Sequence, residues 1–136
     1  VSNSMVPHIT IIIGASYGAG TYAMSGQAYN NRFTFLWPTA KIAVMGPEQI
    51  ARVMSIVRKA KAKRTGEEFD EKADAQIRKM VEAAAEGMSH GLVASSMVTD
   101  DGIIDPRDTR TILGFCLSVV SNIPIEGANE YGVFRL

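Results

Sequence analysis

The segment from Thr10 to Met24, TIIIGASYGAGTYAM, holds the residues best placed to do chemistry. Three kinds of chemistry fit its spacing. Gly14-x-Ser16-x-Gly18 has the form of a nucleophile elbow, which lifts a serine out of a strand-to-helix turn. Gly14, Gly18 and Gly20 have the spacing of a dinucleotide-binding turn, which brings backbone close to a pyrophosphate. The third kind needs no side chain. The first N–H groups of a helix have no internal partner and lie at the positive end of its dipole, where they stabilise an oxygen that gains negative charge.

The rest of the chain separates these readings. A serine hydrolase needs an acid and then a histidine after the serine. The histidines are His8 and His90, and only His90 follows Ser16, at the expected end of a helix. A dinucleotide site needs an acid about 20 residues on to hold the ribose. No carboxylate lies between Gly14 and Glu48, and none of Tyr17, Tyr22, Tyr29 or Tyr131 has a lysine four residues later. Ser16 then reads as a small residue packed in a turn. The backbone reading accounts for the run of small residues at 18–20, which lets a ligand approach the main chain.

These residues must be carried by a strand, a turn and a helix. His8–Ile13, HITIII, is short, β-branched and apolar, as a buried strand requires. Gly14–Gly20 reads as a flexible turn, and TYAMSGQAY as a short helix. Strands are expected over RFTFLW and over Ala40–Met45. Gly46-Pro47-Glu48 opens a helix, with proline at the first position where its missing N–H is not needed. Ile50, Val53, Met54 and Val57 form its apolar stripe. A second helix, Glu71–Met88, places Ile77, Met80, Val81, Ala84 and Met88 on one face. GLVASSMVTDDGIID reads as a short strand or extended piece with an Asp-Gly turn. Asp105 caps a last helix, Pro106–Ser121, which is apolar on most sides and is expected to be buried, against another chain if not within this one. The tail carries Val133, Phe134 and Leu136 and is expected to dock. The mixed order of elements predicts an α/β layered domain.

Composition narrows the function classes. The chain has 136 residues, 46% hydrophobic and 21% charged, the size and make-up of one globular domain. Its 14 basic and 14 acidic side chains cancel, so no field favours nucleic acid. The basic run Arg58–Arg64 is followed at once by GEEFDEK and reads as a solvated helix end. Cys116 sits in an apolar helical pattern and reads as core, and a lone cysteine implies no oxidising compartment. No apolar run is long enough to span a membrane, and no secretory signal is visible. His8 and His90 lack metal-ligand spacing, so no metal is expected. The chain opens on VSNSMVP, which reads as the end of an interrupted helix in a longer polypeptide.

Three blocks in order carry a family resemblance. The first is VPHITIIIGASYGAGTYAM with the following WPTAKIAVMG, the second DDGIIDPRDTR, and the third the ending YGVFRL. Together they resemble the carboxyltransferase (β) subunits of biotin-dependent acyl-CoA carboxylases, most of all those acting on methylcrotonoyl-CoA. The resemblance implies a crotonase-like fold of ββα units, with residues 1–136 forming the C-terminal part of the second of two related domains. It implies transfer of a carboxyl group from carboxybiotin to a carbanion of an acyl-CoA, at a site between protomers of a homo-oligomer. Biotin would arrive on the carrier of a biotin carboxylase α subunit. The residues that match the biotin-side oxyanion hole are Gly18, Ala19 and Gly20, through their N–H groups, with Tyr17, Thr21 and Tyr22 as biotin-binding neighbours. Proton removal would be substrate-assisted, with no side-chain base. The implied compartment is the cytoplasm in a bacterium and the mitochondrial matrix in a eukaryote. Two alternatives stand beside this: a non-catalytic crotonase-like assembly module, and a β subunit for propionyl-, acetyl- or geranyl-CoA. Asp105 and Asp108 are explained by helix capping, and Arg107 and Arg110 by pairing with those acids or with another protomer.

Overall fold

The computed structural model of the protein describes Val1 and residues 3–124. The expected docking of the tail falls in residues 125–136 and lies outside the described residues. In chain order the elements are β1 (Ile9–Ile12), β2 (Ala15–Tyr17), α1 (Ala19–Ala23), a 3-10 turn (Gln27–Tyr29), β3 (Phe33–Leu36), β4 (Lys41–Ala43), α2 (Pro47–Thr65), α3 (Glu71–Ser89), α4 (Gly91–Ser96), a second 3-10 turn (Pro106–Asp108) and α5 (Thr109–Val120).

The strands form two parallel pairs. Ile9 meets Phe33 in the β1–β3 pair, and Ala15 meets Lys41 in the β2–β4 pair. Each strand of the first pair breaks and continues into the second. The break is at Ile13-Gly14 on one strand and Trp37–Ala40 on the other, tied by Trp37 N–H to the Ile12 carbonyl (2.9 Å) and Lys41 N–H to the Gly14 carbonyl (3.1 Å). The unit β-β-α therefore occurs twice, as β1-β2-α1 and β3-β4-α2. Parallel pairing leaves no place for a tight hairpin, so a helix follows each pair of strands.

The residues expected to be a turn at 15–17 are a strand, and the extended piece expected at 91–96 is helix α4. Both differences have local causes. Ala15–Tyr17 gain a ladder partner in β4 that the sequence does not reveal. Gly91 begins α4 because its N–H bonds the Ala40 carbonyl (2.9 Å), and a Cβ there would lie 3.1 Å from the same oxygen. Only Ile103 of the expected strand pairs, with Leu36. Leu36, Ala40 and Ala94 form the core, with Ile12, Ile42 and Ile103 packed around them. Trp37 Nε1–H donates to Thr109 Oγ1 (3.1 Å) and ties α5 to this core.

Helices α2 and α3 form an antiparallel hairpin. Asp70 caps α3 by accepting from the N–H groups of Lys72 and Ala73, and Gly66 ends α2 in a left-handed conformation. Beyond Pro47 at the start of α2, the buried residues on the two helices are small or polar: Ala51, Ser55 and Ala62 on α2, and Asp74 and Ser89 on α3. The expected apolar stripes thus do not make the seam. Val53, Val57, Met80 and Met88 of those stripes face solvent, Met80 at 70% exposure, while Ile50 and Val81 are half-buried. Likewise α5 buries only Cys116 fully and leaves Phe115 71% exposed, where a buried helix was expected. The chain exposes 10142 Å² in all, against about 6,900 Å² for a folded monomer of its mass. The apolar faces are real, and the cover for them is not among the described residues.

The hairpin seam is electrostatic. Ser55 Oγ–H donates to Asp74 Oδ2 (2.6 Å), and Arg58 Nη2 lies 2.7 Å from Asp74 Oδ1, close enough for an ion pair but off the hydrogen-bond line. Asp74 is 5% exposed. Asp74→Ala leaves Arg58 beside apolar surface without its carboxylate. Because Arg58 keeps some contact with water, the expected loss is about 2 kcal/mol rather than the full cost of a buried unpaired charge. Urea unfolding with an unchanged m-value checks it.

Candidate functional site

The site grows from the end of β2. Register with β4 carries one residue past the strand, where Gly18 N–H donates to the Ala43 carbonyl (3.0 Å). The chain must then leave the sheet at once. Gly18 does this at φ 57° and ψ −133°, a region closed to side chains by sterics. A Cβ here would also sit 2.9 Å from the Val44 carbonyl oxygen. Two independent constraints therefore demand glycine at 18.

Helix α1 starts on the far side of that bend. Thr21 N–H returns to the Gly18 carbonyl (3.2 Å) and Met24 N–H to the Gly20 carbonyl (3.2 Å). Among the described residues the N–H groups of Ala19 and Gly20 have no backbone or side-chain acceptor. Both residues are exposed, and a Cβ on Gly20 would meet no atom within 4 Å. Among the described residues nothing requires Gly20 to be small. Of the three donors expected from the sequence, Gly18 N–H is already used by the sheet. The open pair is Ala19 and Gly20.

Helix α1 buries none of its residues, so polar ties must hold it. Ser16 Oγ and Thr21 Oγ1 share a hydrogen bond of 2.8 Å across the bend. Thr10 Oγ1–H donates to the Ser25 carbonyl (2.7 Å). Gly26 packs so closely that a Cβ there would lie 2.5 Å from the Thr21 carbonyl oxygen. A cavity of about 180 Å³ opens beside these ties, lined by Thr10, Ile12, Ser16, Thr21, Met24 and Gly26. Ser16 bonds a threonine, not a histidine, which closes the nucleophile reading.

The other expected residues fall nearby with different surroundings. Thr21 has its hydroxyl engaged by Ser16. Tyr22 is 49% exposed and meets Tyr29 edge to face, with ring centroids 6.4 Å apart. Tyr17 is half-buried, and its ring lies 3.5 Å from where a Gly46 Cβ would be. Asp105 accepts from the N–H of Arg107 and from its guanidinium, whose side-chain hydrogen bond holds the carboxyl below its ordinary value. Capping and pairing account for Asp105. Burial pushes the Cys116 thiol up, as its place in the core requires. Among the described residues no group of three metal-ligating side chains converges, and no helix is long and apolar enough to cross a membrane.

One pair beside the site was not legible. Lys41, opposite Ala15 in the β2–β4 register, donates to Glu86 of α3 and joins the sheet to the hairpin. The hydrogen bond to Glu86 raises the Lys41 ammonium above its ordinary value of 10.5. A raised lysine pKa adds stability that is complete below the unfolded value and is lost as pH rises through the folded one. Glu86→Gln is therefore expected to flatten the fall in stability that sets in as pH rises above the ordinary lysine value of 10.5, read by urea unfolding as the solution is made more alkaline.

A crotonase-like α/β arrangement of β-β-α units, with open backbone donors at a glycine bend, defines a class. The chain belongs to the carboxyl transferase domain family, whose pattern matches residues 1–130. Among its relatives, the probable biotin-dependent acyl-coenzyme A carboxylase beta2 subunit of Mycobacterium tuberculosis is 57% identical over 136 residues, all of this chain and 26% of that one. The mitochondrial methylcrotonoyl-CoA carboxylase beta chain of Arabidopsis thaliana is 44% identical, again over all of this chain and 23% of its own length. The crystal structure of the P. aeruginosa geranyl-CoA carboxylase beta subunit superposes with a TM-score of 0.78 at 36% identity, covering 99% of this chain and 25% of that one. The chain spans about a quarter of the length of these relatives.

Proposed function

We propose that the chain is the C-terminal part of a carboxyltransferase C-domain, and that it supplies the biotin-side half of the site in a biotin-dependent acyl-CoA carboxylase. The observation that carries this reading is the pair of unpartnered N–H groups at Ala19 and Gly20, facing open space on a bend that Gly18 holds rigid. A Gly20 without a Cβ is a cradle that a flat, polar ring can enter, which suits biotin. Biotin, when bound, carries the carboxyl group to be transferred. Ala19 and Gly20 would hold its ureido oxygen, and donors fixed before the reaction stabilise charge on such an oxygen without reorganising. Ser16, Thr21 and Gly26 keep those donors aimed. Tyr17 and Tyr22 would flank the ligand. No side-chain base is required of this chain.

The acceptor would be an acyl-CoA, in particular a branched one such as methylcrotonoyl-CoA. That choice is supported by the methylcrotonoyl- and geranyl-CoA carboxylase names among the relatives. The partners would be further β protomers and a biotin-carrying α subunit. The uncovered apolar faces of α2, α3 and α5 favour a second reading, in which the chain only assembles and does not catalyse. One assay separates the two. The subunit that contains this chain is given free biotin and a carboxylated acyl-CoA of the malonyl or glutaconyl type, and biotin-dependent decarboxylation is measured. Turnover supports the carboxyltransferase; its absence with every such acyl-CoA leaves the assembly module.

A further inference from the structure

Helix α1 carries the open Ala19 and Gly20 N–H groups, yet little fixes its direction. It buries none of its five residues. Beside it lies the cavity of about 180 Å³ lined in part by Thr10, Ser16, Thr21 and Gly26, so on that side it meets a void rather than packed atoms. Its near end is held by the Ser16–Thr21 hydroxyl pair and by Gly18 N–H on the Ala43 carbonyl. For its far end, among the described residues, one hydrogen bond ties residues 22–30 to a strand. Thr10 Oγ1–H of β1 donates to the Ser25 carbonyl at 2.7 Å.

Both partners of that bond are unusual for where they stand. Thr10 lies in β1 among isoleucines, where valine has the same branched shape and lacks only the hydroxyl. Ser25 is a non-glycine residue at φ 62°, it is 8% exposed, and its own hydroxyl has no partner among the described residues. A left-handed backbone and an unsatisfied buried hydroxyl are both unfavourable, and they persist where the surroundings impose them. The bond from Thr10 supplies that constraint from the sheet. Helix α1 is about 7 Å long, so a shift at Ser25 tilts all of it about the Gly18 bend. The strength of a hydrogen bond falls steeply with its angle, so a tilt spoils the aim of both open donors. We infer that Thr10 is a positioning residue: its hydroxyl clamps the far end of α1 to β1 and so fixes the direction of the Ala19 and Gly20 N–H groups. That role rests on the carboxyltransferase reading.

The test makes Thr10→Val and Thr10→Ser in the intact subunit that contains this chain and takes two measurements. Amide hydrogen exchange over residues 19–26 is expected to run about tenfold faster in Thr10→Val and to return to wild type in Thr10→Ser, with the β1–β3 amides unchanged. Decarboxylation of a malonyl- or glutaconyl-type CoA with free biotin is expected to lose about tenfold in kcat in Thr10→Val, less than the ~100-fold of a donor lost outright. The KM for that CoA stays near wild type, and Thr10→Ser recovers kcat to within about twofold, a split and a rescue that a loss of stability alone would not produce. Exchange that Thr10→Val leaves unchanged overturns the clamp. Faster exchange with unaltered kcat in a subunit that turns over overturns the positioning role alone. A wild-type subunit without turnover overturns the carboxyltransferase reading and the positioning role with it, and the exchange result then still decides the clamp.

Discussion

Gly18→Val is expected to cost about 3 kcal/mol or more, and with it the proposed carboxyltransferase activity. Two penalties act together. The backbone at φ 57° and ψ −133° is open to glycine and closed to a β-branched residue. Even if that strain were absorbed, the new Cβ would meet the Val44 carbonyl oxygen at 2.9 Å, and that oxygen belongs to the backbone just past β4. Relief requires either strand to move, and Gly18 N–H then loses the Ala43 carbonyl. The loss should appear in thermal unfolding of the subunit as a lower midpoint, in step with the loss of turnover. Gly18→Ala keeps the backbone conflict and drops only the branch, so it should fall between wild type and valine. A Gly18→Val variant with an unchanged midpoint would show that the bend is not held as described.

Much of this architecture was legible from residue order, and the misses share one cause. His8–Ile13 and Ala40–Met45 declare strands because a β-branched apolar run of that length has few other homes, and each covers an observed strand. Pro47 and Gly66 mark the ends of α2 through backbone chemistry that acts locally. By contrast, Ala15–Tyr17 is a strand only because β4 lies beside it, and no local signal says so. The apolar stripes of α2 and α3 were read as apolar faces, with no partner assigned to them. Periodicity shows which face avoids water but not what covers it. Here the Ser55–Asp74–Arg58 contacts lie in the seam, and most of the stripe residues stay exposed. At the site the same limit applies. Small residues at 18–20 advertise a close approach to backbone, but sequence treats the three alike. The hydrogen bond from Gly18 to Ala43 removes one donor and leaves two.

That division yields the second expected result. Gly20→Val should leave the fold intact and lower turnover about 100-fold, the scale set by loss of an oxyanion donor. Gly20 takes an ordinary backbone conformation, since it is not among the positive-φ glycines, and its Cβ would enter open space. Nothing among the described residues therefore resists the substitution, and the unfolding midpoint should match wild type. What resists it is the ligand. A branched side chain over the Ala19 and Gly20 N–H groups would push an approaching oxygen beyond hydrogen-bond length, and an oxyanion interaction weakens steeply once it is displaced. The KM for the acyl-CoA should stay near wild type, because this turn is proposed to serve the biotin side, while the response to biotin concentration weakens. Gly20→Ala, with one carbon and no branch, should lose less. The pair of glycines two residues apart thus gives opposite signatures, stability at 18 and turnover at 20. A Gly20→Val subunit that folds and turns over normally would remove the oxyanion role from this bend while leaving the family membership untouched.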